Sequence, residues 1–355
     1  MNKIYRLWAL VVTISILALG AVVANSNSPS SAEGGCAGRA YVTNTVADTV
    51  SVINTATNLV VGSPITVGDV PLELAITPNG AFAYVTNGGD DTVSVISTAT
   101  NAVVGLPIGV GDNPFGVAIT PDGTKAYVTN FQVDNVSVID TATNAVVGLP
   151  IGVGTGPTGV AITPDGAFAY VTNSSSNSVS VIDTATETEI ATVPVGSSSP
   201  GVAITPDGTK AYVTNNADGT VSVISTATNA VVGLPIGVGT NPQSVAITPN
   251  GAFAYVANGG IGTVSVIDTA TNAVVGLPIT VGSLPNAVAI TPDGTKAYVT
   301  NFQDDNVSVI NTATNAVVGA PIPVGDGPGG VAICPAAVVP PVTPTDPAVV
   351  LKFTG

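Results

Sequence analysis

Histidine is absent from this 355-residue chain, and that one absence removes more chemistry than any residue present suggests. Without imidazole there is no Ser-His-Asp triad, no histidine general base, no imidazole metal site and no proximal histidine for haem. Cations are nearly as scarce: seven Lys and Arg face 22 Asp and Glu, for a formal net charge of −15. So acidic a chain cannot neutralise many phosphates, which argues against nucleic acid as a partner and against polyanionic surfaces. Charged residues of all kinds reach only 8%, and there are two cysteines. The repeated part of the chain shows no helical periodicity, so no glycine-rich phosphate cradle opens a helix.

What is abundant points one way. Hydrophobic residues make up 45% of the chain, with 40 Gly and 27 Pro. Turn formers among β-branched residues suit many short strands and do not suit disorder, which needs low hydrophobicity and high charge. Tyr41, Tyr84, Tyr127, Tyr170, Tyr212, Tyr255 and Tyr298 each open the tetrapeptide Tyr-Val-Thr-Asn, the one change being Ala257 in the sixth copy. The spacing is 43 residues except between Tyr170 and Tyr212, where it is 42. A fixed period of this size implies a repeat architecture.

One unit shows the local logic. Val117-Ala118-Ile119-Thr120 reads as a strand, and Pro121-Asp122-Gly123 as a tight turn, with Pro presetting φ, Asp bonding back to the backbone and Gly tolerating positive φ. Ala126 to Asn130 is a second strand and Val136 to Ile139 a third. A turn at 140–144 then leads to a fourth strand through Ala145-Val146-Val147-Gly148. Asn79 and Asn250 replace the turn aspartate in two copies, so that side chain is structural rather than charged by need. Four short antiparallel strands per unit describe a propeller blade, which cannot bury its two apolar faces alone and must stack around an axis. The chain therefore resembles the YVTN family of β-propeller repeat proteins over about residues 39–334. That resemblance is specific for fold and not for function, because propellers host unrelated activities.

The ends give the blade count. The first Tyr-Val-Thr-Asn strand has no Val-Ala-Ile-Thr strand before it, while Val331-Ala332-Ile333-Cys334 has no Tyr strand after it. One blade shared between the two ends closes a seven-bladed ring and leaves no open edge at the seam. Aligned on the repeats, Cys334 falls where Thr120 stands and Cys36 where Asp122 stands, two positions apart across the missing hairpin turn. A Cys36–Cys334 disulfide is expected there, spanning a distance such a bond can bridge.

Outside the ring, Lys3 and Arg6 precede an apolar run, Leu7 to Val23, that ends in small residues. Residues 1–24 read as a secretory signal peptide cut after Ala24; an uncleaved anchor is the other reading of the same run. Residues 25–35 read as a flexible leader, 36–334 as the propeller and 335–355 as a Pro-rich tail. The mature chain is expected to have no membrane span and to be secreted or at the cell surface, the periplasm being an alternative.

Function is sought where the repeats disagree. The two positions ahead of each first-strand apolar run should ring one mouth of the central channel. They supply Leu72, Glu73, Phe115, Thr158, Gln243 and Asn286 as binding candidates. Glu73 is the lone charge among them, with a solvated rim carboxylate as the plainer alternative. Asp90, Asp91, Asp304 and Asp305, on loops of the same face, are oxygen-ligand candidates for Ca²⁺, against the reading of solvated loops; no other cofactor is implied. Arg39, Lys125, Lys210 and Lys296 share one repeat position and read as solvated turn residues. By its resemblance to surface-layer and surface-antigen propellers, the chain is expected to be a non-catalytic module binding an envelope protein or glycan, with no catalytic residue. A lactonase-like or cofactor-associated propeller enzyme is the alternative.

Overall fold

In the computed structural model the described residues are 36–336, so the signal-peptide, leader and most of the tail assignments lie outside them. Every regular element among these residues is a β-strand, and the strands form seven antiparallel sheets. In the third blade the inner strand Pro114–Ile119 pairs with Lys125–Asn130, that strand with Asn135–Asp140, and that in turn with the outer strand Ala145–Gly152. The other blades follow the same order, giving a seven-bladed β-propeller. Among the described residues no helix is long and apolar enough to cross a membrane.

The second strands are buried on both faces because each lies between two neighbouring sheets. Seven hydrophobic cores result, one per interface between blades. In one of them Tyr84, Val93, Val95 and Ile108 of the second blade meet Ala126, Val128 and Ile139 of the third. The outer strands are less regular than four continuous strands per blade would suggest. In five blades each splits into two pieces, such as Ala102–Val103 and Ile108–Gly109. Between the pieces Gly105, at φ +73°, turns Leu106 outward to 87% exposure. A broken, proline-bearing edge strand is a poor template for pairing with another chain.

The seam closes as the repeats predict. Strand Pro328–Ile333 pairs antiparallel with Arg39–Asn44, Tyr41 opposite Ala332 and Val42 opposite Val331. Cys36 and Cys334 form a disulfide with their Cα atoms 5.7 Å apart, and both side chains are buried. They pack in the core between the first and second blades with Tyr41, Val52 and Leu74. The bond thus joins the chain where the hairpin turn of every other blade would have been.

The shared cation position is not simply solvated, as the sequence suggests. Arg39 donates to the Thr98 carbonyl at 2.9 Å, Lys210 to that of Thr269 at 2.7 Å and Lys296 to that of Thr55 at 2.6 Å. Lys125 instead pairs with Glu187 at 2.6 Å. Each long side chain covers the blade boundary and ends on the turn of the next blade, so packing as well as charge holds it.

Candidate active site

The repeated tetrapeptide is a clasp between blades, and it decides which backbone faces the channel. Its tyrosine reaches the next blade at one end: Tyr84 donates to Asn144 Oδ1 at 2.5 Å and Tyr212 to Asn272 Oδ1 at 2.6 Å. The accepting asparagines sit in the left-handed region, at φ 54° and 53°, which Asn tolerates better than most residues. Burial raises the phenol pKa, in Tyr84 to about 12.

At the other end of the same strand the threonine does the equivalent work beside the channel. Thr43 Oγ1 accepts from the Gly330 amide at 2.7 Å and donates to the Leu72 carbonyl of the next blade at 2.8 Å. Thr129 accepts from Gly116 at 2.8 Å and donates to Thr158 at 2.6 Å. In every blade but the fifth the inner strand bulges here, as between Pro114 and Val117, and the threonine satisfies the amide and carbonyl that the bulge takes out of the ladder. Ala257 breaks the series. It is fully buried and brings no hydroxyl to the Ser244 amide or the Asn286 carbonyl, the two groups at the equivalent positions. Ala257→Thr should therefore stabilise the ring by about 1–2 kcal/mol, for two regained hydrogen bonds. Melting should rise by roughly 2–3 °C, read by calorimetry; an unchanged or lower midpoint would show that the sixth blade has no room for the hydroxyl.

The bulges line the channel. Glu73, Phe115, Gln243, Ser244 and Asn286 surround a cavity of about 150 Å³ with the backbone of Gly116, Gly159 and Gly201. Of the expected mouth residues, Glu73, Phe115, Gln243 and Asn286 come together there. Leu72 is placed instead over Gly88, where an added Cβ would meet its Cδ1 at 2.9 Å. Thr158 is buried, and its hydroxyl lies 3.1 Å from that of Thr172 and 3.3 Å from the Ser199 carbonyl. Ser244 belongs to the lining although its repeat position is mostly glycine. Glycine prevails there because a β-carbon would run into the neighbouring blade: on Gly330 it would lie 2.9 Å from the Leu72 carbonyl and 2.6 Å from Glu73 Oε2. The carboxyl of Glu73 therefore rests against a residue that has no side chain to displace it.

Among the described residues Glu73 is the only charged side chain lining this cavity. Its side chain is half-buried, and it faces the cavity. That desolvation raises its pKa to about 7, the Leu74 amide drawing it the other way. Among the described residues no side chain donates a hydrogen bond to its carboxylate, the Thr86 hydroxyl donating to its main-chain carbonyl instead. A carboxylate poised near neutrality in an otherwise neutral, partly polar cleft matches the needs of a general base.

The four candidate Ca²⁺ ligands lie on the outer loops of the same face. Asp90 accepts the Asp69 amide at 2.8 Å, Asp91 that of Asn113 at 2.8 Å, Asp304 that of Ser283 at 2.7 Å and Asp305 that of Gly327 at 2.8 Å. Their work in the fold is to cap the connections between blades. Among the described residues no three His, Cys, Asp or Glu gather as a metal site.

Fold and cavity together define a seven-bladed propeller with a half-buried carboxylate on its cavity wall. The chain belongs to the family described as lactonase, 7-bladed beta-propeller, whose model matches residues 111–317. Solved propellers resemble it along nearly their whole length. Hydrazine synthase of Kuenenia stuttgartiensis is 26% identical, with a TM-score of 0.71, 82% of this chain and 99% of that one being covered. The periplasmic gluconolactonase of Pseudomonas aeruginosa is 18% identical, with a TM-score of 0.70 and coverage of 83% and 98%. A putative 6-phosphogluconolactonase from Bacteroides uniformis is 16% identical, with a TM-score of 0.71 and the same coverage. No curated protein matches the chain.

Family membership overturns the expectation of a non-catalytic envelope module. That expectation rested on the resemblance to surface-layer and surface-antigen propellers, on the missing histidine and on the few cations, and it kept Glu73 as a binding candidate with a solvated rim carboxylate as the plainer alternative. What the sequence concealed is the burial that raises the pKa of this carboxylate.

Proposed function

We propose that the protein hydrolyses a lactone in the central channel, with Glu73 as general base. One observation carries the reading: a carboxylate whose pKa burial has raised to about 7, in the polar cavity at the axis of a lactonase-family propeller. Glu73 takes a proton from water as the oxygen attacks the lactone carbonyl carbon. The amides of Gln243 and Asn286 and the hydroxyl of Ser244 supply donors for the carbonyl oxygen as it becomes negative. Collapse of the tetrahedral adduct breaks the ring C–O bond, and the proton on Glu73 passes to the departing alkoxide. Water has then been added across the ester bond and the carboxylate is regenerated.

The buried disulfide supports an oxidising compartment, the periplasm or the exterior, as the place of action. The Tyr-Val-Thr-Asn resemblance stays with this reading as a description of the repeat, whose clasp is independent of what the channel binds.

The test is hydrolysis of glucono-δ-lactone by purified protein, followed by proton release in weak buffer. Turnover should rise with pH along a single titration with its midpoint near 7, since the base must be ionised. A rate no greater than that of buffer across pH 5–8 would end the proposal.

A further inference from the structure

The charge around the channel goes further than the reaction type and assigns a class of substrate. Resting on the lactonase reading, we propose that the site takes uncharged, hydroxyl-bearing lactones and excludes those carrying a phosphate or a carboxylate.

A lactonase that acts on an anionic substrate needs a cation, a set of backbone amides or a helix N-terminus to receive the negative group. Among the described residues no cation and no helix lines the cavity, and the amides of Gly116, Gly159 and Gly201 in its wall already donate to the hydroxyls of Thr129, Thr172 and Thr214. Its polar side chains are Glu73, Gln243, Ser244 and Asn286, which suit hydroxyl and carbonyl groups. The four described cations stand at the opposite end of the blades. In the third blade Lys125 opens the six-residue strand that ends at Asn130, and Asn130 pairs with Pro114 beside the channel lining. Five strand steps separate the two ends, roughly 17 Å. All four cations are also spent on partners in the next blade, the carbonyls of Thr98, Thr269 and Thr55 and the carboxylate of Glu187.

The mouth is negative as well as free of cations. Asp90, Asp91, Asp304 and Asp305 cap loops on this face, joined there by Asp48 and Asp134. An anion would approach through that field and then meet Glu73, which must be ionised to act. Two contributions to the repulsion differ in their response to salt. Asp90, Asp91, Asp304 and Asp305 are exposed and are screened within about 8–10 Å at ordinary ionic strength. Glu73 is half-buried on the cavity wall and keeps more of its effect.

Two pairs of compounds test the assignment on the intact protein. The first pair is glucono-δ-lactone and its 6-phosphate, compared by kcat/KM at pH 7.5 in 20 mM and 500 mM NaCl. The unphosphorylated lactone should be preferred by about 100-fold or more at low salt, in the range by which a charged cleft alters capture of an ion. The preference should narrow at high salt without vanishing. The second pair is the corresponding lactams, neutral and 6-phosphorylated, titrated calorimetrically as ligands that the enzyme does not open. Binding of the neutral lactam alone sustains the assignment even where neither lactone turns over, an outcome that removes the lactonase reading by itself. Equal or tighter binding of the phosphorylated lactam, binding of neither lactam, or a kcat/KM favouring the phosphorylated lactone would each overturn the assignment.

Discussion

Glu73→Gln should lower kcat/KM for lactone hydrolysis by roughly 10²–10⁴-fold, the usual contribution of a general base, and at the same time stabilise the protein at alkaline pH. The two effects have one cause. Burial holds the carboxyl pKa at about 7 against an ordinary value of 4.5. The folded state therefore keeps a proton that the unfolded chain has already lost, and stability falls as pH rises from about 4.5 through 7. Once both states are ionised, the cost reaches about 3 kcal/mol, an upper figure because the carboxylate still touches channel water. Glutamine is neutral throughout and escapes that cost. The variant should melt roughly 5 °C above the parent at pH 8 and level with it at pH 4. Its remaining activity should lose the titration near 7. A melting difference that does not change with pH would show that Glu73 is not desolvated, and retained activity would show that it is not the base. A loss of activity together with a gain of stability is the signature of a group kept under strain for function.

How much of this was legible beforehand can be read from particular residues. The ring, its seven blades, the seam and the disulfide all followed from counting copies, because a repeat writes its period directly into the sequence. The clasp did not. Tyr84 and Asn144 lie 60 residues apart, and no local pattern announces that a tyrosine of one blade will end on a turn of the next. The channel was legible as a place: the irregular positions before each inner strand are where four of the six candidates meet. Thr158 and Leu72 stand at equivalent positions but turn elsewhere, since a bulge lets neighbouring copies point a side chain in different directions. The raised pKa of Glu73 was not legible at all, because it depends on burial that only the folded ring supplies. The sequence left Glu73 between a binding candidate and a solvated rim carboxylate, and the missing histidine and few cations led to a non-catalytic module.

The disulfide is the other place where a large effect is expected. Cys36→Ala combined with Cys334→Ala should destabilise the ring by about 5–6 kcal/mol, from the loop entropy that the bond removes in the unfolded chain. The residues it joins are 298 apart, so nearly the whole propeller lies inside one covalent loop. The melting midpoint should fall by roughly 9 °C. Without the bond, the inner strand Pro328–Ile333 is held by its pairing with Arg39–Asn44, by the clasp of Thr43 on Gly330 and by its packing against neighbouring inner strands. Every other inner strand has in addition a hairpin turn that makes it part of its own blade, and this one does not. Opening should therefore begin at the seam. Hydrogen exchange in the double variant should quicken first at the amides of residues 328–334 and 39–44, while the fourth and fifth blades stay protected. In the parent protein both sulfurs are buried, so reductant alone should leave the bond intact until denaturant opens the first blade. A double variant that melts with the parent and exchanges uniformly would mean that sheet pairing by itself closes the ring.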